Sequence, residues 1–358
     1  MAAAKMRLTG RSGLETGPLE RTPEAEAEWD RYVAGNPTAA VYHLSGFRSF
    51  IETATGHRAR YIYARRAGTI CGVLPLVELK TRLFGHYFVS IPYFNHCGIL
   101  ADDDAARQAL AAEAARQVEG AGASHVEIRH IGAAAGIDWP VKTTKDQMIL
   151  PLPETADELL AGFRSKLRSQ VRRPQKEGVA AQVGGIDLLD GFYAVFARNM
   201  RDLGTPVYGR NFFAELFARF PDRLWIVQCE LGRLPVAAGV LIGWRDTIEI
   251  PWASSLREHN SVGANMLLYW TALQHAIRLG YRKFDFGRST RGAGTWKFKE
   301  QWGARPVPLH WYYYMRDGKA MPEINPENPR YRLAINVWRK LPLAVTNRVG
   351  PYLVKNLP

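Results

Sequence analysis

Residues 281–304 read Tyr281-Arg-Lys-Phe-Asp-Phe-Gly-Arg-Ser-Thr-Arg-Gly-Ala-Gly-Thr-Trp-Lys-Phe-Lys-Glu-Gln-Trp-Gly-Ala304, and the rest of the chain is organised around them. Lys283 to Phe286 alternates as a strand does, and Gly287, Gly292 and Gly294 then punctuate a loop. Alternation resumes at Trp296, which predicts a second strand with Trp296 and Phe298 on one face and Lys297 and Lys299 on the other. The aromatics would anchor in a core while both ammonium groups enter one site. Flexible glycine backbone beside two aligned cations suits an anionic substrate or the oxyanion of an acyl transfer. Lys297, Lys299 and Asp285 are therefore the candidate catalytic residues, with Arg288 beside them in a substrate-binding role. Asp285 leaves its strand opposite Phe284 and Phe286, where a buried salt bridge with a neighbouring cation is the alternative role.

Working outward, the same element order occurs twice. Residues 58–66 and 70–79 predict a hairpin turning at Ala67-Gly68, followed by a strand from His86 to Ile91, an Ala-rich helix from Asp104 to Glu119 and a strand from His125 to Arg129. In the second half, 224–230 and 236–243 form the hairpin around Gly232-Arg233, and 247–252 is the third strand. A loop over 254–262, a helix over 263–279 and the strand at Lys283 complete that copy. A hairpin followed by strand–loop–helix–strand mixes antiparallel and parallel pairing, so each half is expected to be an α/β unit with a mixed central sheet. The expected division is an N-terminal extension (1–39), a first unit (40–150), a second unit (151–318) and a C-terminal tail (319–358).

Composition describes a folded chain with a basic balance. Of 358 residues, 47% are hydrophobic, and 47 Lys plus Arg stand against 34 Asp plus Glu, a net charge of +13. That favours anionic partners such as RNA, nucleotides or phospholipid headgroups; a genome rich in Arg codons would give the same balance. Cys71, Cys97 and Cys229 are scattered without metal-ligand spacing, which argues against a disulfide framework and predicts a reducing cytoplasm. The start, MAAAKMRLTGRSG, has no apolar stretch of the secretory kind, and no run of about 18 apolar residues is present. Asp102-Asp-Asp104 could pass for a metal site, but it stands just ahead of the first predicted helix, where acids complement the helix dipole; no metal site is expected.

Between the halves, residues 163–176 carry Arg164, Lys166, Arg168, Arg172, Arg173 and Lys176 with no acid before Glu177. Arg164, Arg168 and Arg172 recur every four residues on one helical face, which predicts a phosphate-binding face or a solvated basic linker, ended or kinked at Pro174. Loop residues 199–209 place Tyr208 within reach of a ligand. The strand and loop over 249–264 contribute Trp252, His259 and Asn260 as further substrate-binding candidates, delivered to a helix N-terminus that favours anions. No nucleophile elbow, phosphate-binding P-loop or zinc-protease motif is found.

Two such units, together with Gly280-Tyr-Arg-Lys-Phe-Asp-Phe-Gly-Arg-Ser289 and Gly294-Thr-Trp-Lys-Phe-Lys-Glu-Gln-Trp-Gly303, resemble the FemAB superfamily. The likeness spans roughly residues 40 to 318 and is closest to the FemAB-like proteins of exosortase/PEP-CTERM exopolysaccharide systems, which residues 166–178, 200–208 and 307–310 also fit. The resemblance implies two tandem GNAT-like (acyl-CoA N-acyltransferase-like) domains. It implies transfer of an acyl or aminoacyl group to an amine of a cell-envelope precursor, peptidoglycan-like or exopolysaccharide-related. It also implies that Lys297 or Lys299 stabilises developing negative charge. No cofactor is expected to be tightly bound. The donor is either aminoacyl-tRNA or acyl-CoA, since no long helical arm of the tRNA-reading kind is visible. The other partner is a UDP- or lipid-pyrophosphate-linked saccharide. An acetyl-CoA-dependent N-acetyltransferase acting on a small amine or sugar nucleotide, and a non-catalytic scaffold holding lipid-linked saccharide, remain open.

In the tail, Leu333, Val337, Trp338 and Leu341 share a helical face beside Arg332, Arg339 and Lys340, and Pro342 breaks the pattern. A basic amphipathic helix either lies on an anionic membrane surface or packs its apolar face on the second unit. The expected location is cytoplasmic, with peripheral contact at the inner membrane as the further option.

Overall fold

The computed structural model describes residues 13–81, 85–322 and 329–357. Residues 1–12 of the expected extension and 323–328 of the expected tail lie outside the described residues. The chain divides into two compact units, one of 1–144 with 308–322 and 356–358, the other of 145–307 with 323–355.

The first unit opens with β1 (Leu14–Pro18), α1 (Pro23–Gly35) and α2 (Gly46–Thr55). Strands β2 (Arg58–Ala59), β3 (Ile62–Arg66), β4 (Thr69–Leu74), β5 (Val77–Thr81) and β6 (Gly85–Val89) follow. Then come β7 (Leu100–Ala101), α3 (Asp104–Ala121), β8 (His125–Ile131) and β9 (Val141–Lys142). β1 pairs antiparallel with β3 from Leu14↔Arg66 to Pro18↔Ile62, and α1 buries Trp29 and Val33. Residues 13–39 are thus built into the first unit and are not an extension to it. The hairpin expected over 58–79 is cut in two. Pro75 has no N–H to give a ladder, and the chain passes there from β4 to β5. One sheet runs β1-β3-β4-β7; the other sets β8 parallel to β6, with β5 and then β2 beyond β6. Asp103 caps α3 by accepting from the Ala106 N–H, which is the helix-start role expected of the acidic triplet.

The second unit begins with β10 (Lys145–Pro151), α4 (Ala156–Gly162), α5 (Ser165–Lys176) and β11 (Val179–Gly184). It continues through α6 (Leu189–Leu203), α7 (Arg210–Arg219), β12 (Leu224–Leu231), β13 (Leu234–Trp244) and β14 (Thr247–Ser255). Next are α8 (Ala264–Arg278), β15 (Lys283–Thr290) and α9 (Gly294–Glu300). Its sheet is mixed: β11, β12, β13 and β14 are antiparallel neighbours, β15 is parallel to β14, and β10 is antiparallel to β15. Ile248, Ile250, Phe284 and Phe286 point to one side, where they meet Leu267, Leu268 and Trp270 of α8, Leu167 and Val171 of α5, and Trp302. Each unit therefore contains a strand–helix–parallel strand crossover, β6–α3–β8 in one and β14–α8–β15 in the other.

After α9 the chain forms β16 (Arg305–Met315), α10 (Pro329–Lys340) and α11 (Leu343–Val354). The boundaries do not follow chain continuity: β10 counts with the second unit, and 308–315 of β16 pair with β8 in the first. Two cross-strand matches set the β8–β16 register, Tyr313↔Glu127 and Trp311↔Arg129. The Arg129 guanidinium is 1% exposed; it donates to Glu127 Oε1 at 2.6 Å and to the Phe94 carbonyl at 2.9 Å, and lies 4.4 Å over the Trp311 ring. The Tyr313 hydroxyl donates to Glu127 Oε2 at 2.6 Å. Burial alone would push the Glu127 carboxyl up, but Arg129 and Tyr313 outweigh it and hold it below the usual range. Glu127→Ala leaves Arg129 buried without its anion. It should destabilise the first unit by about 3–5 kcal/mol, measured as the shift in urea unfolding. A loss within the scatter of surface substitutions would remove this pair from its structural role.

Candidate active site

β14 and β15 run side by side for only three matched pairs, Thr247↔Lys283, Ile248↔Phe284 and Glu249↔Asp285. Past that point β14 stays with β13 as far as Ser255↔Ala237, and β15 stays with β10 as far as Thr290↔Lys145. Each strand follows its antiparallel partner, and the parallel ladder opens into a fork. Matched residues of neighbouring strands share a face, so the last pair sets two carboxylates side by side. Glu249 is 6% and Asp285 3% exposed.

Two carboxylates held in a protein interior require donors and a cation. Gln147 Nε2 donates to Asp285 Oδ2 at 2.5 Å, and the Gly287 N–H donates to Oδ1 at 2.7 Å. Burial pushes the Asp285 carboxyl up to about 6, against these two bonds and the charge of Lys299. Lys299, itself 8% exposed, donates to the carbonyls of Gly287 at 2.9 Å and Arg288 at 3.0 Å. Burial pulls its ammonium down to about 8, while Asp285 and Glu249 oppose the fall and Arg288 adds to it. A cation is thus fixed to the backbone of β15 just beyond the point where the two strands separate.

Lys299 reaches this place from a helix. Residues 294–300 form α9 where a strand was expected, and this corrects the placement of both lysines on one face. Two positions apart on a helix are separated by roughly 200°, so Lys299 turns inward and Lys297 outward, where it is exposed. A short alternating run fits either period. The contacts that decide are Phe298 with Trp302 at 6.3 Å, four residues on, and Phe298 with Tyr269 at 5.1 Å. Arg291 and Trp296 hold the preceding turn against β10, with Arg291 donating to both oxygens of Asp146 (2.6 and 3.0 Å) and the Trp296 indole to Oδ2 (3.0 Å).

Lys297 faces a cavity of about 780 Å³ in the second unit. Its wall includes Arg164, Lys166, Glu158, Glu300 and Trp302, whereas Asp285 and Lys299 are not part of it. Trp302 is 1% exposed, and its indole N–H has no hydrogen-bond partner among the described residues. The cavity and the buried network are separate places joined by α9, one lined by exposed cations and the other by buried charges.

The basic segment is α5, on which Arg168 and Arg172 are one turn apart but differ in surroundings. Arg164 is the residue before the helix, and Arg168 donates to the Phe163 carbonyl at 2.8 Å, satisfying the end of α4. Arg172 and Arg173 remain exposed, Arg173 lying 3.5 Å from Glu177. Pro174, in the last turn, packs at Gly263, where a Cβ would come within 3.3 Å of its ring. Gly263 has φ of +75° and precedes α8, so the basic end of α5 abuts the N-terminus of α8. His259 and Asn260 lie in the 3-10 turn at the same end, with His259 3.5 Å from Glu258. Trp252 is buried against Phe213 at 5.1 Å, and Tyr208 stacks on Phe212 at 4.7 Å, so these two belong to an aromatic cluster under the 204–209 loop.

Of the sequence-predicted residues, Asp285, Arg288 and Lys299 come together at the fork, Lys297 and Arg164 at the cavity, and His259 and Asn260 lie ahead of α8, while Arg172 and Arg173 are exposed on α5. Glu249 and Gln147 were missed. The signal for Glu249 is a lone acid at an alternating position inside the apolar strand Thr247-Ile-Glu-Ile250; its meaning depends on a parallel register that sequence does not display. Nothing local distinguishes Gln147.

Asp285 holds its proton to about pH 6 in the fold, whereas an unfolded aspartate releases it near about 3.9. Its contribution to stability is therefore complete below about pH 4 and is lost as the pH rises from about 4 to about 6. Asp285→Asn should remove a slope of up to about 1.4 kcal/mol per pH unit in that window. The check is the difference in urea unfolding free energy between wild type and variant from pH 4 to pH 7; a flat difference would refute it.

A family model described as an acetyltransferase (GNAT) domain matches residues 161–300. No curated protein matches the sequence. Among solved structures, FemX aligns over 89% of this chain and 100% of its own at a TM-score of 0.61 and 15% identity. L-PGS from Bacillus licheniformis aligns over 89% of this chain and 97% of its own, with a TM-score of 0.55 and 15% identity. A tandem GNAT protein from the clavulanic acid biosynthesis pathway aligns over 86% and 100%, with a TM-score of 0.55 and 11% identity. At these identities the likeness is one of fold, and the chain has a FemAB-like tandem GNAT fold.

Proposed function

We propose that this protein is an N-acyl- or aminoacyltransferase that modifies an amine of a cell-envelope precursor. The observation that carries the reading is the buried Lys299–Asp285–Glu249 network at the fork of β14 and β15. Perturbed ionisable groups beside strands that open are a functional arrangement more than a stabilising one, because a buried ion pair is a poor source of net stability. In the reaction an acceptor amine attacks the donor carbonyl, and a C–N bond forms. The C–O bond of an aminoacyl ester, or the C–S bond of a thioester, breaks. The amine loses a proton, and the departing hydroxyl or thiol gains one. Lys299 supplies positive charge for the intermediate oxyanion, and Asp285, with its carboxyl near 6, suits transient proton storage at neutral pH.

The donor is an anion in either form, tRNA or CoA, and the basic end of α5 against the N-terminus of α8 supports its binding there. The cavity beside Lys297 suits the acceptor, since Arg164, Lys166 and Lys297 can meet a diphosphate while Trp302 offers apolar surface and an unpaired N–H. A saccharide linked to UDP or lipid pyrophosphate has that chemistry, as either a peptidoglycan-like or an exopolysaccharide precursor. Participation in a PEP-CTERM system belongs to the same proposal and rests on the sequence resemblance.

Thermal shift with aminoacyl-tRNA, acetyl-CoA and UDP-sugars tests the reading first; stabilisation by none of them would count against it. With a donor found, Lys299→Ala should lower kcat by about 10²–10³. The pH–rate profile should be bell-shaped, rising near about 6 and falling near about 8. Lys299→Arg keeps the charge and should move the alkaline limb upward, which a purely structural lysine would not do. Lys297→Ala should instead raise KM for the acceptor. If both alanine variants retained full transfer with intact folding, the assignment would fail.

A further inference from the structure

The two C-terminal helices satisfy one face and leave another. α10 sets Ile335 against Gly204, where a Cβ would lie 2.5 Å from Ile335 Cγ2, and Arg339 donates to the Leu203 carbonyl at 3.3 Å. α11 buries Thr346, Gly350 and Val354, with Gly350 packed on Val207. Turned away from these contacts are Leu333 (66% exposed) and Val337 (52%), one helical turn apart in α10. In α11 the same outward position holds Val345 (40%) and Val349 (41%). Arg332, Lys340 and Arg348 are exposed among them. From 329 to 358 the sequence has six Lys or Arg and no Asp or Glu.

We propose that the outward face of α10 and α11 docks on an anionic phospholipid bilayer. Core packing does not account for these apolar side chains, because each helix already packs its other face on the unit, α10 through half-buried Ile335 and α11 through buried Thr346 and Gly350. Charge decides between the possible partners. A second copy of this face would bring Arg332, Lys340 and Arg348 against the same cations, and RNA would use the cations without needing Leu333, Val337 or Val349 covered. A headgroup layer takes both: apolar side chains enter the acyl boundary while Arg and Lys stay with the phosphates.

The experiment is co-sedimentation of the full chain with vesicles of phosphatidylcholine alone or with phosphatidylglycerol added, with a separate RNA-binding arm. Binding is expected only with phosphatidylglycerol and should weaken as salt rises. Two variants separate the contributions, L333E/V337E/V349E and R332Q/K340Q/R348Q, both confined to exposed positions and checked for unchanged thermal unfolding. Each should reduce vesicle binding by roughly tenfold or more. Failure of the wild type to sediment, equal sedimentation by the apolar variant, or RNA binding in place of vesicle binding would each overturn the proposal.

Discussion

A buried ammonium must have acceptors and anions around it, and Lys299 finds both where β14 and β15 stop pairing. Much of the second unit follows from that requirement. The carbonyls of Gly287 and Arg288 are turned toward α9, Asp285 is gripped by Gln147 and the Gly287 N–H, and β15 bulges here, its Phe286 and Gly287 standing opposite the single Met148 of β10. α9 has to be helical for its lysine to reach inward. Arg291 and Trp296 secure the turn that starts it by meeting the buried carboxylate of Asp146. Removing Lys299 would leave Asp285 and Glu249 matched on adjacent strands without its ammonium.

Positive charge in this chain falls into distinct environments, which the net value of +13 conceals. Lys299 is fixed and desolvated. Lys297, Arg164 and Lys166 border a cavity and are exposed. Arg172 and Arg173 are exposed near the end of α5, Arg173 beside Glu177. Arg168 and Arg129 hold backbone carbonyls and serve the fold. Only the cations that remain solvated can give salt-dependent binding, because buried pairs are screened far less.

The tail shows how one amphipathic pattern can serve two surfaces. α10 and α11 lie on α6 and on the 204–209 loop, so they support the aromatic cluster of Tyr208, Phe212 and Trp252 from outside. Packing and membrane contact were alternatives on the sequence. With two helical faces available, packing on the unit occupies one and leaves the second open for the proposed bilayer contact.

Alternation, turn residues and helix-start acids in the sequence were enough to establish two α/β units, the parallel crossover in each, and the N-terminus of α3 at Asp103, because these depend on neighbours within a few residues. The role of Lys299 was legible as a cation near Asp285 but not its geometry, since Trp296 to Lys299 satisfies a period of two as well as a helical turn. Tertiary structure alone decided between them, through Phe298, Trp302 and Tyr269. It alone decided that residues 13–39 and 308–315 complete the first unit, because strand pairing at long separation leaves no local trace. Glu249 entered the site for the same reason: its pairing with Asp285 is a property of two strands thirty-six residues apart in the chain, brought into register by α8.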